Sequence, residues 1–242
     1  MLRLHQLPPL DRAPSLSPFC MKVETYLRMA EIPYESVTTV DARRTPKGKL
    51  PWIEDGNHRL GDSGLILEHL KATRGNPVDD HLGLKEHATG HALRRMLEEH
   101  FYWALVYARW FDDRHWPRLQ KIFLGALPRP AQPVVGALAR KMMKRTMHAH
   151  GIGRHNRAEI FTAARADLDC LATHLGDRPY LFGDRPCSYD AIAHAFLANV
   201  LDVDMDTPIL EHARTHANLV AYCQRMDERY YAKPASAVAA TA

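Results

Sequence analysis

The feature that most constrains this chain is a change of hydrophobic period near residue 80. Before it, short runs of strand-like alternation trade places with short helix-like runs. After it, only the helical period recurs. Leu2 to Leu7 alternates apolar and polar residues, and a loop holding Pro8, Pro9 and Pro14 follows. Ser17 then opens a helix whose apolar residues Phe19, Val23, Leu27 and Ala30 share one face, with Pro33 marking its end. A second strand is predicted over Tyr34 to Val40. After the polar stretch Asp41 to Lys49, Leu50 to Ile53 and His58 to Leu60 read as two short strands joined by a turn at Asp55-Gly56. Asp62 and Ser63 start another helix. None of these elements is long enough to stand alone, so the order predicts helices packed on a small mixed sheet, the thioredoxin-like plan.

The remainder predicts helices over Leu84 to Trp116, Leu119 to His148, Asn156 to His174, Tyr189 to Leu201 and Ile209 to Arg229, broken by Pro and Gly clusters. For a chain of 242 residues the reading is therefore two units. An α/β domain spans 1–78 and an all-helical domain spans 84–232.

Charge and cysteine usage narrow the function classes. A formal charge of +4, the difference between 32 basic and 28 acidic residues, is too mild to imply a nucleic-acid partner but suits a small anionic ligand. His5, Asp11 and Arg12 interrupt the start, which argues against a secretory signal. The longest uncharged apolar run, around Ala191 to Leu201, is well short of the roughly 20 residues that span a bilayer. The expectation is a soluble, cytoplasmic protein. Cys20, Cys170, Cys187 and Cys223 are widely scattered, with no CxxC pair, which predicts reduced thiols.

Three short motifs carry chemistry. Ser17-Pro18-Phe19-Cys20 reads as a helix N-terminus, with Ser17 as N-cap and Pro18 at the first helical position. A sulfur held there, whether of Cys20 or of a bound thiol, has its thiolate favoured by the helix dipole and a hydroxyl donor. Pro46-Lys47-Gly48-Lys49-Leu50-Pro51-Trp52-Ile53 puts a proline just before a strand. Asp62-Ser63, eleven residues after Pro51, is a second helix start, able to cap a helix or to hold an anion.

In this order the motifs resemble the glutathione transferase superfamily. The Ser-Pro-Phe-Cys start together with Gly151-Ile152-Gly153-Arg154-His155 looks most similar to its metaxin and failed-axon-connections branch. The resemblance implies a thioredoxin-like domain that binds glutathione and a helical domain beside it. It implies a cis bond before Pro51 and pairing of Leu50 with the cysteinyl backbone of the peptide. Lys49 would meet a carboxylate, and Asp62 and Ser63 would hold the γ-glutamyl end. Either Ser17 or Cys20 is then the activating residue, ionising glutathione or forming a mixed disulfide with it. The expected activity is attack of the glutathione thiol on a small hydrophobic electrophile, with no metal and, by family habit, in a homodimer. A silent module using the same fold for binding or assembly, and a Cys20-dependent thiol transferase, are the rival readings.

Other features read as structure first. Phe101, Tyr102, Trp103, Tyr107, Trp110, Phe111 and Trp116 hold seven of the chain's twenty aromatic rings. They can line an acceptor pocket, though most are expected in the core. Asp190 reads as a folding cap of an apolar helix, with Cys187 standing where the superfamily usually has Ser or Thr. Either Ser188 caps instead or the box is weakened. His148, His150 and His155 match no metal-ligand spacing. Arg140, Lys141, Lys144 and Arg145 are expected on a solvated helix face. The hydrophobic tail that some members of the branch use is missing from Lys233 to Ala242.

Overall fold

The computed structural model describes residues 1–41 and 45–232. The tail from Lys233 to Ala242 lies outside them, as does part of the polar stretch from Asp41 to Lys49. The N-terminal part runs β1 (Leu2–Gln6), α1 (Pro18–Met29), β2 (Tyr34–Thr38), β3 (Trp52–Asp55), β4 (His58–Gly61) and α2 (Ser63–Arg74). The four strands lie in the order β2-β1-β3-β4. β1 and β2 are parallel, and the β1–β3 and β3–β4 pairs are antiparallel. Gly56, at φ +60°, makes the turn between β3 and β4, a conformation that costs glycine little. The core of this sheet layer gathers Leu2 and Leu4 with Val23, Tyr26 and Leu27 of α1 and with Ile66, Leu67 and Leu70 of α2.

Helices α3 (Leu84–Arg95), α4 (Tyr102–Phe111), α5 (Trp116–Leu124), α6 (Ala131–His150), α7 (Arg157–Leu175), α8 (Ser188–Leu201), α9 (Pro208–Thr215) and α10 (Ala217–Tyr230) follow. This is the arrangement that the resemblance implies: a small four-stranded sheet with helices, then a helical domain. Three of the long predicted helices are divided. The segment after Leu84 passes through a six-residue π-helical stretch, Met96–Phe101, and stops at Asp112, whose carboxylate turns back to accept from the Arg114 amide at 3.0 Å. Pro128 and Pro130 separate α5 from α6, since neither offers an N–H to continue a helix. His216, at φ −94° and ψ 89°, separates α9 from α10.

The expected single apolar face on the first helix is incomplete. Pro18 and all eight residues from Cys20 to Leu27 are buried, Lys22 and Glu24 among them. α1 is sandwiched: one side feeds the sheet core, while Met21 and Phe19 pack into the helical core, Phe19 edge-on to Phe196 of α8 at 5.7 Å. α8 is the centre of that second core, buried from Ser188 to Val200 except for Tyr189. Among the described residues no helix is long and apolar enough to cross a membrane.

Candidate functional site

Strand register brings the three motifs to one edge of the sheet. His5, near the end of β1, pairs with Trp52 at the start of β3, and Trp52 pairs with Gly61 at the end of β4. The loop from β1 into Ser17, the Leu50–Pro51 step and the Asp62–Ser63 step therefore leave the sheet on the same side. The Leu50–Pro51 peptide bond is cis. Lys49 is exposed beside it.

Ser17 caps α1 weakly. Its Oγ accepts from the Cys20 amide at 3.4 Å, and its own amide donates to Ser15 Oγ at 3.3 Å. Ser17 as a residue is only half-buried. Cys20 is different. It is fully buried, and burial pushes its thiol up to about 11 despite the nearby Ser17 and Ser15 hydroxyls. The helix dipole does not overcome desolvation here, so Cys20 is held as a thiol and not as the activated thiolate expected of it.

The loop that carries Ser17 is held from the helical domain, through residues that no sequence motif marks. Arg109 of α4 is buried and donates to the Leu16 carbonyl at 2.7 Å and to Asn199 O and Oδ1 of α8, each at 2.9 Å. Asn199 Nδ2 donates to the Ser15 carbonyl at 3.3 Å. Burial pushes the Arg109 guanidinium down to about 10, so it remains a cation at neutral pH.

At the second helix start, Asp62 adopts φ +86° and its Oδ1 accepts from the Gly64 and Leu65 amides at 2.9 and 3.1 Å. Those two amides are thus engaged by Asp62, which corrects the expectation that the start of α2 offers them to a ligand. Ser63 is buried, and its Oγ accepts from Lys22 Nζ at 3.2 Å. Lys22, fully buried on α1, is paired with Glu98 of the π-helical stretch, and Glu98 also accepts from Arg94 Nε at 2.8 Å. Burial pushes the Lys22 ammonium down to about 8 against the pull of Glu98. A Cβ on Gly64 would run into the Arg94 guanidinium, so the cation lies directly against the helix start. Two cations and a serine hydroxyl thus gather at the start of α2, together with the Glu98 and Asp62 carboxylates, where the domains meet. Lys22 and Arg94 were missed by the sequence motifs. The signal available was a lysine on the otherwise buried face of the first helix, and a charged run, Arg94, Arg95, Glu98 and Glu99, inside a helical segment.

The aromatic cluster divides. Phe101 is buried core, whereas Tyr102 meets Phe19 at 4.8 Å beside the start of α1. Trp110 and Trp116 pack on each other at 5.4 Å over the β1–α1 loop residues Leu10 and Leu16. His148 and His155 are exposed and His150 leans on Trp103 at 4.4 Å, so the three do not share a centre. A cavity of about 270 Å³ lined by Met29, Glu31, Val78, Arg185 and Tyr230 opens at the other end of α1, about 18 Å of helix away from Ser17. It is separate from the motifs.

Models of the glutathione S-transferase N-terminal domain and C-terminal domain match residues 18–115 and 164–226. An isoprene-epoxide–glutathione S-transferase of Rhodococcus sp. (strain AD45) is 32% identical over 237 residues, covering 95% of this chain and 99% of that protein. The chain belongs to the glutathione S-transferase family. Failed axon connections of Drosophila melanogaster is 30% identical over 243 residues, covering 96% of this chain and 58% of that longer protein. Metaxin-1 and metaxin-2 sequences match as well. Among solved structures, a glutathione S-transferase of Methylobacterium radiotolerans in complex with glutathione sulfonate superposes with a TM-score of 0.64 at 19% identity, over 98% of this chain and 92% of that one. At that identity the likeness concerns the fold.

Proposed function

We propose that the chain is a glutathione transferase: it binds glutathione across the sheet edge and directs the thiolate at a small hydrophobic electrophile. The observation that carries this is the convergence of a half-buried Ser17 at one helix start with Ser63, Lys22 and Arg94 at another. The anionic γ-glutamyl end would lie at the start of α2, where Ser63 and the two cations favour a carboxylate, while the outer Asp62 oxygen accepts from the amine. Leu50 would present its backbone to the cysteinyl unit. Ser17 would donate its hydroxyl to the sulfur, which the N-terminus of α1 favours as an anion. The positive φ of Asp62 costs on the order of 1–3 kcal/mol, strain of the kind that clusters at ligand clamps. The π-helical stretch that delivers Glu98 is also a device frequent at functional sites. Phe19 and Tyr102 offer an apolar wall for the acceptor. The epoxide in the name of the Rhodococcus relative makes a small epoxide the first acceptor to try.

A non-catalytic module that uses the same fold for binding or assembly is the second reading. It is favoured by the self-contained start of α2, where Asp62 caps its own helix and Lys22 engages Ser63. Full burial of Cys20 argues against the thiol-transferase reading.

Calorimetry of glutathione binding, with turnover of a small epoxide, tests the proposal. Ser63→Ala is expected to weaken binding about tenfold, and Ser17→Ala to lower turnover about a hundredfold with binding little changed. Binding without turnover in the wild type supports the second reading. No binding by the wild type overturns the first reading and leaves the binding or assembly module.

A further inference from the structure

Away from the start of α2, three side chains converge at the junction of α7, α9 and α10. Asp169 Oδ1 lies 2.6 Å from His212 Nε2 and 2.8 Å from His216 Nε2, and the two imidazole nitrogens are 3.4 Å apart. We propose that Asp169, His212 and His216 form a binding site for a divalent late transition-metal ion, with Zn²⁺ as the reference ion.

The donor set is the first argument. Two imidazoles and a carboxylate suit Zn²⁺ and its neighbours, and three protein ligands leave a position for water. Geometry is the second. With bonds of about 2.0–2.2 Å, tetrahedral ligand atoms stand roughly 3.3 Å apart. The two nitrogens already have this spacing. The carboxylate oxygen is closer, and Asp169, with half its side chain exposed, can retreat by a rotation of its own torsions. Each imidazole would bind as its neutral tautomer, with the Nε2 proton relocated to Nδ1 through solvent and the lone pair of Nε2 given to the ion.

The backbone that carries these ligands is fixed before any ion arrives. Thr215 Oγ1 donates to the His212 carbonyl at 2.7 Å, and the Leu219 amide to the His216 carbonyl at 3.1 Å. Asn218 Nδ2 ties the start of α10 to the end of α7 through the carbonyls of Ala172 at 2.9 Å and Gly176 at 3.1 Å. Both imidazoles keep about a quarter of their surface exposed, which leaves an entry path.

A second convergence, His194, Cys223 and Asp227, is a weaker host. His194 is fully buried and its Nδ1 has no hydrogen-bond partner, so a metal on Nε2 would leave a buried N–H without its supporting acceptor. The Cys223 sulfur also stands 3.9 Å from Asp227.

The test uses the full chain without any added histidine tag, freed of metal by dialysis against chelator. Zn²⁺ is titrated in competition with a chromophoric chelator, and Co²⁺ binding is followed by its visible d–d absorption. The expected result is one equivalent of Zn²⁺ bound, with affinity falling at least about tenfold in each of Asp169→Asn, His212→Gln and His216→Gln and unchanged in His148→Gln. The Co²⁺ bands should be present in the wild type and absent from the three variants. Equal affinity in the wild type and the His212→Gln/His216→Gln double variant overturns the site, as does a wild type without Co²⁺ bands. Glutathione binding is read in the same samples and should be indifferent to these changes.

Discussion

The starts of α2 and α8 are built from nearly the same residues and are put to different uses. At α8, the Cys187 amide and thiol both donate to Asp190 Oδ2, at 2.8 and 3.1 Å, while Asp190 Oδ1 accepts from the Leu181 amide at 2.9 Å and the Tyr222 hydroxyl at 3.0 Å. Ser188 does not cap this helix. Its amide and hydroxyl go to Asp79, at 2.7 and 2.8 Å. Every one of these groups is buried, and both Asp190 oxygens are used. At α2, Asp62 is exposed, its Oδ1 caps the helix at the cost of a positive φ, and the serine beside it is reached by a buried cation. The lesson is that an Asp and a Ser at a helix start can serve a ligand only where packing leaves the carboxylate open to solvent. Where both are sealed they serve the fold.

The sharpest way to break this comparison is Asp190→Ala. It strands the buried Leu181 and Cys187 amides, while the Tyr222 hydroxyl keeps the residue-190 carbonyl at 3.1 Å; with each unpaired amide costing about 1–3 kcal/mol, a loss of about 3 kcal/mol or more is expected in denaturant unfolding. A loss under 1 kcal/mol would show that α8 does not depend on its cap. Next comes Glu98→Ala, which leaves Lys22 buried without its ion-pair partner. About 3 kcal/mol of destabilisation is expected by the same measurement, and Glu98→Gln should recover part of it. Smallest in stability is Asp62→Ala, where the loss of one helix cap amounts to about 1 kcal/mol. Its glutathione affinity should nevertheless fall severalfold by calorimetry, the reverse of the pattern at Asp190. Unchanged affinity would place Asp62 with Asp190 as a purely structural cap.

Much of the site was legible because its motifs are local. A Ser-Pro start, a Leu-Pro step before a strand and an Asp-Ser start are each written within a few consecutive residues, and the order of short strands and helices supplies the sheet that aligns them. The choice between Ser17 and Cys20 was not legible. They are three residues apart on the same first turn, and only packing against the neighbouring layers makes one half-exposed and the other fully buried. The same holds for the divided helices. Apolar periodicity continues through Asp112 and His216, where a side-chain turn and an unusual backbone angle end the helix.

By itself, the sequence determined the two-part architecture, because hydrophobic period and the placement of Pro, Gly and capping residues are local properties of a chain. It also determined which loops carry the polar groups of the sheet edge. Only the tertiary structure decided which of those groups are exposed, which are sealed and what each one meets. Lys22 meets Glu98 and Ser63, Arg94 leans on Gly64, and Arg109 steadies the loop before Ser17, all across separations of tens of residues. Burial sets the charge state and reach of each of these side chains, and burial is a property of the packed layers that no single segment contains.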